Sequence, residues 1–415
     1  MLDIRYIREN AEQVQKAASN KGFKIDINKL LELDKQRREV VAKIEDLRAK
    51  RNELSQSSKG SQPAAEVISR GKQLKERLAK LEAEAEPLQA EYSKLYREVP
   101  NIIPDDTPLG GEEANRQERT WGDTADKDFA VIDHVDWGEK NDLLDFERGA
   151  KVAGSKFYFV KGSLAVLELA IAQLALDHAQ KAGFTPMSVP HLVSERIIDG
   201  AGFSARSAEE EQIYRVDGED LNLIATAEIP LTGYHADEIL GKLPKLYVGY
   251  SPAYRKEAGA YGKHSRGLYR VHQFNKVEMY VFCKPSDSEK WHQKMVEIEE
   301  SLCQTLMIPY RVVRIAAGDL GAAAYKKYDV EYWSPVDKAY HELMSCSNIT
   351  DYQARRLNIR YRDEDGKTNF VHTLNGTVAA ISRLSIAIIE NFQGRDGKVE
   401  LPAALQPYMA DQTTL

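Results

Sequence analysis

The sequence predicts an α+β chain, with a helical hairpin at the N-terminus followed by a body of strands and apolar helices. Three observations predict it. A strict seven-residue apolar repeat runs through residues 27–99, broken once by a Ser-, Gly- and Pro-containing turn at 55–63. Two alternating runs, Tyr250, Pro252, Tyr254 and Val277, Met279, Val281, flank a polar, Gly-containing segment, as in a long-looped antiparallel hairpin. Apolar stretches at 164–176 and 386–392 read as helices of the body.

With 415 residues, 42% hydrophobic and 29% charged, the chain has the size for two domains and the composition of a soluble globular protein. No apolar run approaches the roughly 20 residues of a membrane span. The start, Met1-Leu2-Asp3-Ile4-Arg5, has neither the basic head nor the apolar core of a signal peptide, so a cytoplasmic setting is expected. Cys283, Cys303 and Cys346 are too far apart for a local zinc pattern and odd in number, which points to buried free thiols. The net charge of −7 argues against a generally basic nucleic-acid binder but leaves room for a local basic patch.

Asp3 caps a first helix expected to run through Ala18 and end near Gly22, and Asp26 caps the next. Leu30, Leu33, Val40, Ile44, Leu47 and Leu54 then occupy a/d positions, with Arg37 and Arg51 in the remaining seam positions. Val67, Gly71, Leu74, Leu78, Leu81, Ala85, Leu88, Tyr92, Leu95 and Val99 repeat the pattern. Two such helices on a short loop fold back as an antiparallel coiled coil about 45 Å long. Pro87 is expected to kink the second helix or remove one of its hydrogen bonds. Near the tip, Arg48, Lys50, Arg51, Lys59, Arg70, Lys72 and Lys75 outnumber Asp46, Glu53, Glu66 and Glu76. A coiled coil of this kind fits a dimerisation or spacer element, and a basic tip also suits an RNA backbone.

Prolines and a glycine pair in Pro100–Gly111 end the coil, and the polar run from Glu112 to Asp126 reads as a surface tether. The expected division is an arm at 1–104, a linker at 105–125 and a body at 126–415. In the body, Gly154–Gly162 reads as a short strand entering the helix of Leu164, Leu167, Leu169, Ile171, Leu174 and Leu176, and Phe184–Pro190 as a strand closed by proline. Leu223–Glu228 reads as a strand ending in Thr226 and Glu228, a pair that also fits a helix cap before Ile229-Pro230.

On the hairpin, Arg255 and Glu257 fall two apart on the first strand, and Phe274 and Glu278 share a face of the second. An arginine fork matches phosphate or carboxylate, an aromatic ring stacks on a purine, and a carboxylate accepts from an N–H. The set suits a nucleotide with an amino acid beside it; such charges also fit a solvated surface hairpin. Alternation through Val330, Tyr332 and Ser334 predicts a strand, and a second strand carrying Glu342 and Ser345 would aim Glu342 into the cleft of Arg255. Thr373–Arg383 then leads into the helix of Ile386, Ile388, Ile389 and Phe392.

The order Tyr254-Arg255-x-Glu257, polar loop, Arg270-x-His272-Gln273-Phe274-x-x-x-Glu278 resembles motif 2 of the class II aminoacyl-tRNA synthetases, and the chain as a whole resembles the seryl-tRNA synthetases. The resemblance spans motif 1 at about 163–190, motif 2 at about 250–280, motif 3 at about 373–393 and the coiled arm. It implies a class II antiparallel sheet flanked by helices, a homodimer, and ATP-dependent attachment of L-serine to tRNA(Ser) through seryl-adenylate. The arm, with Arg48, Lys50, Arg51, Lys59, Arg70 and Lys72, is implied to grip the long variable arm of the tRNA.

The same resemblance implies that Arg255 holds the α-phosphate and the serine carboxylate, Glu257 the adenine amino edge, Phe274 the adenine face, Arg270 a phosphate and Arg383 the γ-phosphate. Glu342 with Ser345 is implied to take metal-bound phosphates, since Mg²⁺ prefers one or two carboxylates plus phosphate oxygens and water. Thr226, Glu228, Glu278 and Asn375 are implied to form the serine site, with Glu278 and Thr377 on its hydroxyl. Two departures stand out. The family usually has Arg-Glu-Ile-Ser-Ser where this chain reads His341-Glu342-Leu343-Met344-Ser345, and many members have Gly where Val378 stands, so Val378 is expected to crowd the nucleotide. Two other functions fit the sequence. One is a seryl-adenylate-forming relative that acylates a carrier protein, against which the arm counts. The other is a non-catalytic RNA-binding paralogue, which the departures favour and the retained Arg255, Glu257, Glu278, Glu342 and Arg383 oppose.

Overall fold

Asp3 starts the first helix as its cap, accepting from Arg5 N at 2.7 Å, but the helix expected to reach Ala18 is two: α1 (Ile4–Glu9) and α2 (Ala11–Asn20). Asn10 breaks it, with φ −131° and ψ 38°. The computed structural model describes residues 1–57, 65–124, 127–205, 211–257 and 266–415, and divides the chain into compact units at Met1–Ile102 and Ile103–Leu415. The heptad residues build the rest of the first unit as α3 (Ile27–Ser57) and α4 (Ala65–Glu98), with Leu30, Leu33, Ile44, Leu78 and Tyr92 buried. Ion pairs Lys29–Glu91 and Arg48–Glu82, both 2.7 Å, run in opposite chain senses and fix the antiparallel arrangement. Helix α4 continues unbroken through Pro87. Arg51 is exposed rather than packed in the seam, and Arg37 lies 4.6 Å over the Tyr92 ring.

The second unit is organised on an eight-stranded sheet. Its strands are β1 (Arg116–Trp121), β2 (Thr185–Ser188), β3 (Lys245–Tyr254), β4 (Gln273–Cys283), β5 (Tyr310–Arg314), β6 (Lys326–Ser334), β7 (Ala339–Thr350) and β8 (His372–Ala380). They lie in the order β1-β5-β6-β7-β8-β4-β3-β2, antiparallel throughout except for the parallel pair β2–β3. Strand alternation decides which face holds the core. Val277, Met279 and Val281 of β4 pack in one cluster with apolar residues of α5 (Gly162–Lys181), α7 (Ser288–Thr305) and α8 (Ile381–Asn391). Phe274, Lys276 and Glu278 therefore project from the opposite face, where the cavity lies.

Several local expectations change. The stretch read as a tether supplies β1, an edge strand paired with β5, and Pro108 and Gly110 carbonyls accept from Ala317 and Gly318 at 2.8 Å. Thr226 and Glu228 do not end a strand: the strand covers only Asn222–Leu223, and Glu228 opens a short helix, α6 (Glu228–Gly233). Its N-cap is Ala227, and Thr226, one residue earlier, accepts from Glu228 N through Oγ1 at 3.2 Å. Arg255 and Glu257 lie beyond the end of β3, and Glu257 has a φ of 48°. Helix α5 is long and apolar enough to cross a membrane, against the expectation that no segment approaches a span, but Leu164, Leu167, Ile171 and Leu174 place it in the core. All three cysteines are free and buried.

Candidate active site

Two β-bulges set the site. On β7 the register slips so that Glu342 opposes Glu331 and Ser345 opposes Asp329, with Leu343 as the extra residue. Residues three apart on a regular strand point to opposite faces; the bulge turns Glu342 and Ser345 to the same one. On β8 the extra residue is Val378, between Thr377 opposite Glu278 and Ala379 opposite Val277. Val378 is fully buried in the core cluster and lines neither lobe of the cavity, so it does not crowd the site as expected.

The cavity has a main lobe of about 890 Å³ lined by Thr226, Glu228, Arg255, Glu257, Arg270 and Glu278, and also by Glu342, Ser345, Asn375 and Arg383. A smaller lobe of about 60 Å³ adds Phe274 and Thr377 and shares Arg255, Glu342 and Arg383 with the first. Every body residue given a binding or catalytic role from the sequence thus lines one or other of these two adjoining lobes, whereas Val378 does not. The basic tip residues belong to the other unit: Arg48 and Lys50 are exposed and paired with Glu82 and Asp46 at 2.7 and 2.6 Å, and Arg51, Arg70 and Lys72 are exposed. Lys59 lies outside the described residues.

The cavity lining mixes cations with carboxylates. Burial lowers the Arg255 guanidinium and the neighbouring charge of Arg383 adds to it, which is the cost of aiming two cations into one space. Arg255 lies 5.2 Å over the Phe274 ring and donates from Nε to Ala225 O at 3.3 Å. Arg383, in the first turn of α8, holds Glu342 twice, at its carboxylate (3.1 Å) and its carbonyl (3.2 Å), and stacks 4.5 Å over Tyr269. Burial would raise the Glu342 carboxyl, but Arg383, Lys327 and Arg255 outweigh it and hold it down at about 2. That favours the ionised form of Glu342, which lines the main lobe together with Ser345; the described residues hold no group of three His, Cys, Asp or Glu that would bind a metal unaided.

Beside this lies a tight polar pocket. Thr377 Oγ1 donates to Glu278 Oε2 at 3.1 Å, and Lys276 Nζ is 2.7 Å from the same oxygen. Glu228 Oε1 accepts from Gln353 Nε2 at 2.8 Å and Asn375 Nδ2 at 3.0 Å, while burial and then the charge of Glu278 push its carboxyl up to about 7. Sequence reasoning missed four contributors. Lys276 shares the face of Phe274 and Glu278, so alternation was a sufficient signal. Lys327 lines the main lobe and pairs with Asp329 at 3.0 Å. Gln353 and Gln212 carry no local signal, because each reaches the site from a separate element. His341 turns away to Asp337 at 2.8 Å and does not line the composite cavity.

A mainly antiparallel sheet that gathers Arg255, Glu342 and Arg383 around one cavity is the arrangement expected of a class II aminoacyl-tRNA synthetase. The family description "tRNA synthetase class II core domain (G, H, P, S and T)" matches residues 212–392, and "Seryl-tRNA synthetase N-terminal domain" matches residues 1–103. The serine–tRNA ligases of Dictyoglomus turgidum and Rubrobacter xylanophilus are each 45% identical to this chain, over 99% of it and 98% of their own length. The crystal structure of seryl-tRNA synthetase from Pyrococcus horikoshii complexed with ATP superposes with a TM-score of 0.91 at 40% identity, covering 100% of this chain and 99% of that one. The cytoplasmic serine–tRNA ligase of Naegleria fowleri in complex with AMP gives 0.86 at 32% identity, covering 100% and 98%. The chain belongs to the seryl-tRNA synthetase family.

Proposed function

We propose that this chain attaches L-serine to tRNA(Ser) with ATP, through a seryl-adenylate. The observation that carries the reading is that Arg255, Glu342 and Arg383, from three separate stretches of the chain, line one cavity beside the Glu278–Thr377 pair. The serine carboxylate attacks the α-phosphorus and pyrophosphate leaves; the tRNA 3′-terminal ribose hydroxyl then attacks the acyl carbon and AMP leaves. No protein nucleophile takes part, so the residues act by positioning and charge neutralisation. Arg255 holds the α-phosphate and serine carboxylate, Arg383 the γ-phosphate, Arg270 a further phosphate, and Phe274 and Glu257 the adenine. Thr226, Glu228, Glu278 and Asn375 surround the serine ammonium, and Glu278 with Thr377 takes its hydroxyl.

Glu342 and Ser345 fit Mg²⁺, which supplies charge neutralisation on the phosphates when bound. The ATP and AMP in the two related structures support the nucleotide assignment. In this reading the arm at 1–104 grips the tRNA through its basic tip, exchanging pairs such as Arg48–Glu82 for phosphates. The body works as a cytoplasmic homodimer, for which Phe159, Val166 and Leu169, exposed by 46%, 46% and 64%, are candidate contact residues. Serine-dependent ATP–pyrophosphate exchange, followed by charging of a tRNA with a long variable arm, tests the reading. The parent should do both, and a full-length variant with Arg48, Arg51 and Arg70 changed to Glu should keep exchange and lose charging. Absence of exchange in the parent contradicts the enzyme reading, and undiminished charging by the variant contradicts the role of the arm.

A further inference from the structure

The backbone of Glu257 lies in the left-handed region, at φ 48°. A residue with a side chain keeps that conformation only where its surroundings over-determine it. Strand β3 has already ended at Tyr254, and pairing extends one residue further, Arg255 N donating to the carbonyl of His272 just ahead of β4 at 3.0 Å. Beyond that bond the acceptors come from elsewhere in the chain. Lys256 N donates to Gln212 O and Glu257 N to Gln212 Oε1, each at 3.0 Å. Consecutive N–H groups are thus caught by the main chain and the side chain of one residue.

Gln212 is firmly seated for this task. The next residue, Ile213, is fully buried in a cluster with Ile224 and Ala225, and Leu223 N donates to Tyr214 O at 2.9 Å. Gln212 and Glu257 line the same cavity, and the Glu257 carboxylate, 11% exposed, sits 3.5 Å from Arg270. Had the chain continued as regular strand, the carboxylate would follow the pleat of β3. The left-handed turn gives it another direction.

We propose that Gln212 is a positioning residue for nucleotide selection: by clamping the backbone of Glu257 in its left-handed turn, it aims that carboxylate at the exocyclic amine of the purine. The proposal rests on the reading of Glu257 as the group that meets the adenine amino edge. Without the side-chain acceptor, Glu257 N–H has no partner in a half-buried setting, the strained turn loses a restraint, and the carboxylate drifts from the amine.

Gln212→Met keeps the length of the side chain and removes the acceptor, whereas Gln212→Glu keeps an oxygen in the same place. The readout is kcat/KM for ATP divided by kcat/KM for purine riboside triphosphate, which lacks the 6-amino group, in serine-dependent pyrophosphate exchange. Glu257→Ala is the reference. The ratio should fall towards one in Glu257→Ala, fall by about tenfold in Gln212→Met, as for one hydrogen bond lost to a partly buried donor, and recover in Gln212→Glu. The KM for serine should stay at the parent value in Gln212→Met. A ratio lost in Glu257→Ala but kept in Gln212→Met overturns the role of Gln212 alone, as does a loss that comes with an equal rise in the KM for serine. A ratio unchanged in Glu257→Ala overturns the reading of Glu257 on which the proposal stands.

Discussion

Replacing Thr377 by valine removes one hydroxyl and almost nothing else, because the two side chains have nearly the same shape. Thr377 is 5% exposed, its Oγ1 donates to the Glu278 carboxylate at 3.1 Å, and Lys276 holds that carboxylate at 2.7 Å. A hydrogen bond to a charged group contributes about 1.5–3 kcal/mol. Glu278 keeps its lysine in the variant, so the lower end applies, and kcat/KM for serine should fall roughly 10- to 30-fold. The KM for ATP should hold, since Arg255, Glu257 and Phe274 are untouched. Serine-dependent pyrophosphate exchange, run with serine and with alanine while each substrate is varied, measures all of these. A site built around a hydroxyl rejects the analogue lacking it by roughly 10⁴-fold, and Thr377→Val should narrow that margin. Equal use of serine and alanine by the parent, or a variant whose KM for ATP rises as much as its KM for serine, would refute the reasoning.

Glu342→Gln removes both the charge offered to Mg²⁺ and the 3.1 Å pair that steadies Arg383, so exchange should slow by about 10²-fold and need more Mg²⁺; an unaltered Mg²⁺ titration contradicts the metal assignment. Glu228 has a folded-state pKa raised to about 7, so its contribution to stability is full below the ordinary carboxyl range and is lost as pH rises through 7. Between pH 5 and 8 the parent should lose on the order of 3 kcal/mol relative to Glu228→Gln, read from paired melting curves; parallel curves would sink the claim. Val378→Gly should cost about 2–3 kcal/mol through a core cavity and a looser backbone, with the KM for ATP unchanged, whereas tighter ATP binding would show that Val378 does crowd the site.

The coil was legible because its signal is local: Leu30, Leu33, Ile44, Leu78 and Tyr92 meet across a seam whose period is written in one stretch of chain. Alternation likewise placed Val277, Met279 and Val281 in the core and Phe274 and Glu278 on the other face. The bulges at Leu343 and Val378 were not legible, since register is decided by the partner strand. Without the first, Glu342 and Ser345 read as facing apart; the expectation for Val378 came from the glycine many family members carry there, whereas alternation from Thr377 already points Val378 to the core. Strand β1 escaped because its residues are exposed on both faces as far as Thr120, so no apolar alternation marks it. Gln353 and Gln212 escaped because their partners, Glu228 and Glu257, are distant in the chain and nothing beside either glutamine announces the contact.

A crystal structure with a non-hydrolysable seryl-adenylate analogue tests the account most directly. Adenine should stack on Phe274 with its amine at Glu257, the phosphate-like group should meet Arg255, and the seryl hydroxyl should sit between Glu278 and Thr377. An analogue bound outside this cavity, or inside it with the seryl hydroxyl turned from Glu278, would contradict it.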